Sequence, residues 1–543
     1  MVSIFWADKM VDDIIARVEA DPTLQKLVEQ GGYFVYDEKT PSGEIHIGSG
    51  RGWVIHEILA KILRERGKKA VFVLSSDDHD PFDKPIKGKP EYDQYLGMSF
   101  RDIPSPVEGY KSWGHYYFAK VTDKFKEYGM DVELASTGDD YEAGVFNDAT
   151  KKILDKYTDV QNIFEEIYEK PYEKIPFNVR CENCKKVATT LATKWDGEFV
   201  HYECKDGVVK WANGCGHSGK ISPYNGNGKF PWKVEWAMKW PSKGVIVETA
   251  GKDHFTKGGA RTISIRISDR VLGYPPPWPS TATEEGPGYE FFNVGGKKMS
   301  TSKGMGSSFA ELPEHVPAKI LRYLMVRSKP SSVIDFDPSR KDDLLLIYDQ
   351  YDMTERVYFG KEESERAQEL KRIYEFSQIG PILKEFPPQI TLRHAAVAAQ
   401  IASKNDDAIA LLQKGDVPAE LSKEHVAYLN ERLDAARMWL REFAPENEKF
   451  SVQETVSSEI KEQLTEKQQA AAADVKTFLE AGDHDEQTLF EEFYKICEKH
   501  EIKNSEFFKG MYLILLAKTR GPKLAGLIVA IGKEKVLALL EQA

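Results

Sequence analysis

Residues 33–49 read YFVYDEKTPSGEIHIGS, and this stretch decides the fold class. Its first four residues form a β-rich run, which breaks into a turn containing proline and glycine. A helical stripe follows, in which Val54, Ile58 and Ile62 repeat every four residues, and then a second apolar run, Val71–Leu74. Strand, glycine-rich turn, helix and strand in this order predict an open parallel α/β sheet, and ligands of such sheets bind at the carboxyl ends of the strands.

The remainder of the chain is expected to interrupt this sheet and then to become helical. Residues 1–30 look like one polar-faced helix and its exit, while residues 81–240 do not continue the alternation of strand and helix and read as an insertion. Strand character returns at 244–247 and 289–294, and from about residue 315 onward the apolar spacing is almost wholly helical. A length of 543 residues, against roughly 150 for one domain, predicts three or four domains.

The composition is typical of a globular protein, and the net charge of the whole chain does not indicate nucleic-acid binding. Hydrophobic residues make up 41%, and no stretch approaches the ~18 uninterrupted apolar residues of a membrane span. The first residues lack the basic and apolar regions of a signal peptide, so a cytoplasmic location is expected. With 74 basic and 86 acidic side chains the net charge is −12, which by itself points away from RNA. The tail is locally basic, however, and Lys518, Arg520 and Lys523 are its expected RNA-facing residues.

Four of the five cysteines fall within one span of 35 residues, at Cys181, Cys184, Cys204 and Cys215. In an intracellular chain such a cluster indicates metal binding before it indicates disulfides. A Cys-x₂-Cys knuckle presents two thiolates to one tetrahedral Zn²⁺, and a second pair completes a structural site. The second pair is irregular here, so His217 competes as a ligand, and four reduced thiols without metal are the weaker alternative.

The turn Thr40–Ser49 carries the first candidate for chemistry. A glycine-rich turn that opens a helix presents free backbone N–H groups and the positive end of the helix to an anion. Its histidine, His46, can donate a hydrogen bond to a phosphate whose charge grows during displacement. A plain turn with a surface histidine is the alternative, because short glycine-rich patterns recur by chance.

The second candidate is Gly295–Gly304, which reads GGKKMSTSKG and directly follows a predicted strand. Lysines in a loop rich in glycine and serine suit the clamping of a departing polyphosphate. A solvated basic loop is the alternative. Two such motifs in this order, each at the end of a strand, favour phosphate chemistry over both alternatives.

Together the two motifs resemble the signatures of class I aminoacyl-tRNA synthetases. HIGS at His46–Ser49 stands for HIGH, and KMSTS at Lys298–Ser302 stands for KMSKS. Finer features resemble class I lysyl-tRNA synthetases, the form common in archaea and some bacteria, from the first helix to about residue 450 and more loosely to the end. These features are TPSG at 40–43, DDHD at 77–80, WKVEWAMKW at 232–240, AGKDH at 250–254, YEF at 289–291, and DQYD at 349–352 leading to VYFG at 357–360.

The sequence departs from these patterns at three places. Ser49 stands where HIGH has its second histidine. Thr301 stands where KMSKS has its second lysine, and Lys303, one place after the signature, offers a substitute charge. Glu38 and Lys39 precede TPSG, where a Gly-Ile pair is expected.

The resemblance implies a Rossmann-type parallel-sheet catalytic domain with a zinc-containing insertion, followed by an α-helical anticodon-binding region. The KMSKS-like loop then belongs to the second half of the catalytic domain. The expected boundaries are 1–95 and 241–310 for the two halves of the catalytic domain, 96–240 for the insertion, 311–360 for a junction that contacts the tRNA stem, and 361–543 for the anticodon-binding region.

The implied activity is that of a lysine–tRNA ligase. Such an enzyme activates lysine with ATP and Mg²⁺ to lysyl-adenylate and transfers the lysine to the terminal 2′-OH of tRNA(Lys). Two alternatives stay open: a class I synthetase for another amino acid, glutamate first, and a catalytically silent tRNA-binding paralogue. A monomer without a membrane partner is expected.

The resemblance also implies roles for individual residues. Catalytic roles fall to His46, Lys298, Ser300 and Lys303. ATP binding is expected from Thr40, Pro41, Gly43, His46, Gly48, Ser49, Gly251, Asp253, His254, Lys298, Met299 and Ser302. Lysine binding is expected from Glu290, Asp78, Asp80, Trp232, Trp236 and Tyr289. Glu290 is the first choice for the ammonium group, and aromatic faces suit the aliphatic stem, although for each tryptophan a place on a core-facing helix stripe competes.

Overall fold

The computed structural model describes residues 4–256, 258–281, 288–295, 308–340, 342–415 and 417–543. The chain forms two compact units. Unit 1 holds Met1–Glu314, Ala318–Phe336 and Ser364–Gly380, and unit 2 holds His315–Pro317, Asp337–Glu363 and Pro381–Ala543. Within the described ranges, no helix is long and apolar enough to cross a bilayer.

Strands and helices are numbered in chain order. The strands are β1 (Tyr33–Lys39), β2 (Ala70–Ser76), β3 (Glu133–Ser136), β4 (Asn178–Val179), β5 (Thr190–Trp195), β6 (Val200–Cys204), β7 (Ser218–Ile221), β8 (Gly228–Lys229), β9 (Val245–Val247), β10 (Phe292–Val294) and β11 (Ile334–Phe336). The helices are α1 (Trp6–Ala20), α2 (Pro22–Gly31), α3 (Ile47–Glu65), α4 (Trp113–Thr122), α5 (Thr137–Glu142), α6 (Asn147–Asp155), α7 (Tyr157–Tyr168), α8 (Trp232–Lys243), α9 (Ala260–Ile267), α10 (Ala318–Arg327), α11 (Asp343–Tyr358), α12 (Ala367–Ser377), α13 (Leu392–Ile401), α14 (Asn405–Leu412), α15 (Lys423–Glu442), α16 (Ser458–Gln463), α17 (Glu466–Ala481), α18 (Glu486–Lys499), α19 (Asn504–Leu516), α20 (Leu524–Ile531) and α21 (Lys533–Leu540).

A four-stranded parallel sheet forms the centre of unit 1, with its strands in the order β3–β2–β1–β9. The order reverses at β1, because β2 and β3 extend the sheet on one side while β9 lies on the other. This reversal is a topological switch point, and ligands of open α/β sheets bind in the crevice that it creates at the carboxyl ends of the strands. The predicted α/β fold class is confirmed.

The prediction of one helix and its exit in residues 1–30 is wrong, because a second helix takes the place of the exit. α1 ends at Ala20, and the Asp21 carboxylate then caps α2 by accepting hydrogen bonds from the N–H groups of Thr23 and Leu24. Pro22 occupies the start of α2, where its missing N–H leaves no hydrogen bond unmade. The Asp-Pro pair therefore starts a new helix inside a continuous apolar pattern.

Helix α3 is buried along most of its length, and three of its buried side chains are polar. The Arg51 guanidinium donates hydrogen bonds to backbone carbonyls. The His56 ring accepts a hydrogen bond from the Thr249 N–H at 3.0 Å, and the Glu57 carboxylate pairs with Arg322 at 2.9 Å. Each of the three side chains therefore joins α3 to a different segment of unit 1.

The segment between β2 and α8 carries a second, antiparallel sheet. β5, β6 and β7 pair in sequence order, and β4 pairs with β8. The apolar core of this insertion joins α6 and α7 to the strands and continues to α8 and α9. The insertion is therefore packed against the helices that flank the parallel sheet.

Unit 2 is helical in its described residues. Its C-terminal part packs α17–α21 around an apolar core that includes Leu489, Phe493, Ile514 and Leu515. The almost wholly helical structure predicted from about residue 315 onward is confirmed, with β11 (Ile334–Phe336) as the exception among the described residues.

Candidate active site

A cavity of about 400 Å³ opens at the switch point between β1 and β9. Its described walls come from the ends of β1 and β2, the residues after β9, the start of α3 and one face of α8. The lining residues are Asp37, Glu38, Lys39, Thr40, Ser49, Trp53, Asp77, Asp80, Trp232, Trp236, Glu248, Thr249, Ala250, Gly251, His254 and Tyr289. Among these residues, five carry a carboxyl group and one carries an amine.

The structure brings part of the predicted site together at this cavity. The predicted residues that line it are Thr40, Ser49, Gly251 and His254 from the ATP set and Asp80, Trp232, Trp236 and Tyr289 from the lysine set. The predicted residues that do not line it are Pro41, Gly43, His46, Gly48, Asp78, Asp253 and Glu290. Five predicted residues, Lys298, Met299, Ser300, Ser302 and Lys303, lie outside the described residues.

The glycine-rich turn places His46 at the N-terminus of α3, where it is the N-cap residue. Its backbone forms an antiparallel bridge with Ser308. A Cβ atom at Gly48 would lie 2.8 Å from Nδ1 of His46, so a glycine is needed to leave room for the imidazole. The histidine and the positive end of the helix therefore lie together, the arrangement that an anion site uses.

Helix α8 supplies an aromatic wall. The rings of Trp232 and Trp236 stack with centroids 5.5 Å apart, and the ring of His254 lies 5.4 Å from the first and 5.6 Å from the second. Trp232 is 38% exposed and Trp236 is 4% exposed, and both line the cavity. Trp240, two turns after Trp232, is buried in the core. The tryptophan stripe thus contributes Trp232 and Trp236 to the cavity, while Trp236 and Trp240 both pack in the apolar core.

A network of buried charges adjoins the cavity, with two lysines and four carboxylates. Its members are Lys229, Lys239, Glu38, Asp77, Asp80 and Glu235. Glu235 lies 3.1 Å from the ammonium of Lys229 and 3.3 Å from that of Lys239. Burial opposes both positive charges, but the surrounding carboxylates outweigh it and raise the pKa of both lysines. Because these ammonium groups already bridge Asp77, Asp80 and Glu235, that carboxylate group needs no metal ion.

Two further acids, Asp37 and Glu248, lie at the carboxyl ends of β1 and β9. The Asp37 carboxylate accepts a hydrogen bond from the Glu38 N–H at 2.8 Å and lies 3.5 Å from Nδ1 of His56. Burial lowers the pKa of His56 to about 4, so this ring is neutral at pH 7. Burial and the nearby Glu248 raise the pKa of Asp37 well above its ordinary value.

Glu248 is 1% exposed and accepts a hydrogen bond from the indole N–H of Trp240. Burial raises the pKa of Glu248 to about 7, although Arg261 opposes this shift. In the described part of the chain, no lysine or arginine lies within 4.0 Å of the Asp37 or Glu248 carboxyl groups. These two acids therefore lack the close cations that Asp80 and Glu38 have.

The two other carboxylates predicted for the ammonium group have partners outside the cavity. Glu290 pairs with Lys252 at 2.6 Å. Asp78 accepts hydrogen bonds from the Ser136 hydroxyl at 3.0 Å and from the Gly138 N–H at 2.9 Å.

The sequence reasoning misses four acids that line the cavity: Asp37, Glu38, Asp77 and Glu248. Each stands at the carboxyl end of a parallel strand or directly after it. Because ligands of open α/β sheets bind at the carboxyl ends of the strands, the acids at the end of each parallel strand are predictable from the sequence as site residues.

The four clustered cysteines meet in the insertion. The Sγ atoms of Cys181 and Cys215 are 3.7 Å apart, and those of Cys184 and Cys204 are 3.6 Å apart. All four sulfur atoms lie within 4.8 Å of one another. Two thiolates on one tetrahedral Zn²⁺, each at about 2.3 Å, would be roughly 3.8 Å apart, whereas disulfide sulfurs are about 2.05 Å apart. His217 is not part of this group, and its Nε2 lies 3.9 Å from Glu182.

Comparison with known sequences identifies the family. The sequence model described as tRNA synthetases class I (K) matches residues 4–380. The chain belongs to the class I (K) tRNA synthetase family. A second model, described as an anticodon binding domain, matches residues 381–543, all of which belong to unit 2.

Relatives in this synthetase family match along the whole chain. The lysine–tRNA ligase of Methanosphaera stadtmanae is 30% identical over 539 residues, covering 96% of this chain and 97% of the relative. The lysine–tRNA ligase of Archaeoglobus fulgidus is 28% identical over 544 residues, covering 99% of each. The lysine–tRNA ligase of Thermoplasma acidophilum is 28% identical over 541 residues, covering 99% of this chain and 98% of the relative. The family resemblance drawn from the motifs is confirmed.

Proposed function

We propose that this class I synthetase is a lysine–tRNA ligase. It activates lysine with ATP to lysyl-adenylate and transfers the lysine to the 3′ end of tRNA(Lys). The observation that carries the proposal is the switch-point cavity, in which five carboxyl groups and an aromatic wall meet. A substrate with a cationic end and an aliphatic stem suits both features, whereas the side chain of glutamate would add a like charge among these acids.

In this proposal the ε-ammonium group of lysine binds between Asp37 and Glu248. Both line the cavity, and Glu248 is close enough to raise the pKa of Asp37. A cation between two such acids relieves their repulsion. A ligand without a cationic group would leave these buried carboxylates unpaired and would therefore bind more weakly. Asp80 also lines the cavity, but Lys229 already holds it. Glu290, which pairs with Lys252, is the alternative that mutagenesis tests.

The aliphatic stem of the substrate is assigned to the aromatic wall. Trp232 and Trp236 present stacked rings at the cavity, and Tyr289 lines it from the segment before β10. Aromatic faces hold methylene groups by dispersion and attract a nearby ammonium through their quadrupoles. The wall therefore suits a long cationic side chain.

ATP is assigned to the N-terminal end of α3, with the lysine site beside it. His46 is proposed to hydrogen-bond the α-phosphate while a carboxylate oxygen of lysine attacks phosphorus and the bond to the β-phosphate breaks. Mg²⁺ accompanies ATP and neutralises phosphate charge. The ribose and adenine are assigned to Gly251, Asp253 and His254, and the phosphate side to Thr40, Pro41, Gly43, Gly48 and Ser49. On the sequence resemblance alone, Lys298, Met299, Ser300, Ser302 and Lys303 are assigned to ATP and the departing pyrophosphate.

The tRNA anticodon is assigned to unit 2, whose residues 381–543 match the anticodon binding domain. Arg520 and Lys523 are exposed before α20 and stay the proposed RNA-facing residues of the tail. Lys518 has a structural role as well, because its ammonium donates a hydrogen bond to the carbonyl of Glu446 at 2.9 Å. The proposal also takes the enzyme to be a cytoplasmic monomer.

A structural Zn²⁺ bound by Cys181, Cys184, Cys204 and Cys215 completes the proposal. The sulfur separations fit one tetrahedral ion. Four protein ligands leave no open coordination position, so the ion would supply folding energy to the insertion and no reaction chemistry.

The proposal predicts ATP–pyrophosphate exchange that depends on lysine and not on glutamate. The preference is expected to reach about 10⁴-fold, because a ligand without the ammonium leaves buried acids unpaired. Ornithine, one methylene shorter, is expected to lose about 10- to 200-fold. Exchange rates with each of the twenty amino acids and ornithine measure both ratios. Exchange with glutamate alone would assign another amino acid, and no exchange with any of them would indicate a silent paralogue.

The KM for lysine is expected to rise about eightfold as the pH falls from 7.5 to 6, while the KM for ATP changes little. An ammonium ion binds the ionised carboxylate, and with a pKa of about 7 for Glu248 the ionised fraction falls over this interval. Arg261 and Lys239 also act on Glu248, and Lys39 acts on Asp37, the other acid of the pair. Exchange kinetics at saturating ATP across this pH range give the result, and a lysine KM that stays flat would contradict it.

A further inference from the structure

Arg51, in the second turn of α3, is a fully buried arginine whose guanidinium is held by backbone carbonyls. The five acceptors are the carbonyl oxygens of Glu290 (2.7 Å), Phe291 (3.0 Å), Lys329 (2.8 Å), Pro330 (3.3 Å) and Ser332 (2.7 Å). In the described ranges of the chain, no carboxylate lies within 4.0 Å of this guanidinium. A planar fork of donors suits such a set of acceptors, and a lysine ammonium at this position would not reach them all.

The five carbonyls belong to two segments that lead into the paired strands β10 and β11. The N–H of Glu290 donates to the carbonyl of Pro330 at 2.8 Å, and the N–H of Ile334 donates to the carbonyl of Phe291 at 2.9 Å. The two segments are therefore joined to each other, and Arg51 holds the joined pair to α3.

The first of these segments begins directly after Tyr289, which lines the cavity. The N–H of Tyr289 donates to the carbonyl of Ala250 at 3.0 Å, and its own carbonyl accepts from the N–H of Lys252 at 3.0 Å. On α3, the residue after Arg51 is Gly52, and a Cβ atom there would lie 2.4 Å from the Tyr289 hydroxyl oxygen. Two consecutive residues of α3 therefore set where Tyr289 lies, one through hydrogen bonds to its neighbours and one by leaving space for its ring.

We propose that Arg51 is a positioning residue for amino-acid activation, which acts through Tyr289 and does not touch the substrate. It fixes the Tyr289 wall of the cavity relative to α3, the helix whose N-terminus carries His46. This inference rests on the proposed lysine activation. It adds to that proposal a residue outside the cavity on which the binding of the amino acid depends.

A purely structural role is the competing explanation, and the chain offers a matched control for it. Arg322 is also fully buried, pairs with Glu57 on α3, and donates to the carbonyls of Phe376 and Tyr128. None of these partners lines the cavity. Replacing either arginine is expected to lower the thermal stability of unit 1, but only the loss of Arg51 moves the cavity wall.

The experiment compares Arg51→Lys, Arg322→Lys and the wild-type enzyme in ATP–pyrophosphate exchange, with rates normalised to the active-site concentration. For Arg51→Lys the KM for lysine is expected to rise at least about tenfold and kcat/KM for lysine to fall about 10²-fold, the scale of a small misplacement in a site. Arg322→Lys is expected to keep the wild-type KM for lysine. If Arg51→Lys does not fold, Gly52→Ala displaces Tyr289 from its other side and is expected to show the same rise in KM.

A double-mutant cycle with Tyr289→Ala tests the route of the effect. If Arg51 acts through Tyr289, the Tyr289→Ala variant has already lost the effect that Arg51→Lys causes. Adding Arg51→Lys to Tyr289→Ala is then expected to lower kcat/KM for lysine by less than about twofold. Full additivity, or a lysine KM unchanged in Arg51→Lys while its melting temperature falls, would overturn the inference. A wild-type enzyme without lysine-dependent exchange would instead overturn the proposed function, so the two failures are distinguishable.

Discussion

Replacing Glu248 by glutamine is expected to lower kcat/KM for lysine about 10²- to 10³-fold in ATP–pyrophosphate exchange. The amide keeps an acceptor oxygen for the indole N–H of Trp240, so the core hydrogen bond survives the change. The negative charge is lost, however, and the buried ammonium keeps only Asp37 of its two proposed counter-ions, so a large part of the roughly 3–5 kcal/mol of a broken buried ion pair is expected to be lost. The loss is expected in the KM for lysine, with the KM for ATP near its wild-type value. The pH dependence of the lysine KM should weaken in the same variant.

Two further variants show whether a fall of kcat/KM for lysine in Glu248→Gln comes from the loss of the ammonium site. Glu290→Gln tests the rival carboxylate, which pairs with Lys252. Glu355→Gln is a control for removing a buried carboxylate, because Glu355 belongs to unit 2 and accepts a hydrogen bond from the Tyr428 hydroxyl at 2.7 Å. A larger loss of lysine affinity in Glu290→Gln than in Glu248→Gln would move the ammonium site to Glu290.

Replacing Cys184 by serine is expected to abolish stoichiometric zinc and to unfold the insertion. Structural zinc in zinc-finger peptides contributes about 10–16 kcal/mol of binding energy at pH 7, which is as large as the whole stability of a typical domain. Cys184 lies 3.6 Å from Cys204 in the four-sulfur group, and a serine hydroxyl does not replace a thiolate ligand. The zinc content of the purified chain, thermal unfolding and proteolysis of the insertion measure the outcome.

Cys497→Ser is the control for this change, because Cys497 is the other cysteine of the chain and lies buried in α18 of unit 2. It is expected to keep one zinc per chain while losing a little stability, since a hydroxyl replaces a small apolar group. A wild-type protein without stoichiometric zinc would contradict the metal site. Loss of zinc in His217→Ala, with Cys184→Ser unaffected, would contradict the ligand set.

The sequence was sufficient to predict β1, β2 and β9 and the end of the sheet at which the cavity lies, because these depend on local patterns. It did not predict β3 (Glu133–Ser136), which lies in the segment 81–240 that reads as an insertion. The run from Tyr33 to Ser49 combines a β-rich stretch, a turn and a helix start, and each is determined by neighbouring residues. Trp232 and Trp236 share one face of a helix by their spacing, so their joint place at the cavity follows from helical periodicity. The split between α1 and α2 was also legible, since an Asp-Pro pair is a helix-start signal.

The partners of individual charges could not be predicted, because they come from distant parts of the chain. Lys239 pairs with Glu38 across 201 positions of the sequence, and Lys229 pairs with Asp80 across 149. Glu290 looks like a free carboxylate in the sequence, and only the fold brings Lys252 to it. Acidic residues that look alike in the sequence thus differ in whether a lysine or arginine of the protein neutralises them. This difference is a property of the folded state.

The set of zinc ligands also could not be chosen from the sequence alone, although the candidate residues are close to one another in the chain. The spacing between Cys204 and Cys215 left His217 as a competitor, because a loop of that length can present either residue. The pairing of β6 with β7 brings Cys215 to the other three sulfurs and His217 to Glu182.

The hydrogen bonds between side chains of α3 and backbone groups limit which residues of this enzyme can change during evolution. Arg51 and His56 are joined to backbone groups, and no substitution elsewhere can supply a new partner of that kind. Changes at these two positions of α3 are therefore costly, whereas Glu38 and Glu248 at the strand ends contact side chains, which can mutate with them. A gene copy that drifts toward another amino acid would change these strand ends first. Its capacity to activate a carboxylate with ATP would persist, because these strand-end acids can change while α3, which presents His46 and holds Tyr289 in place, stays the same.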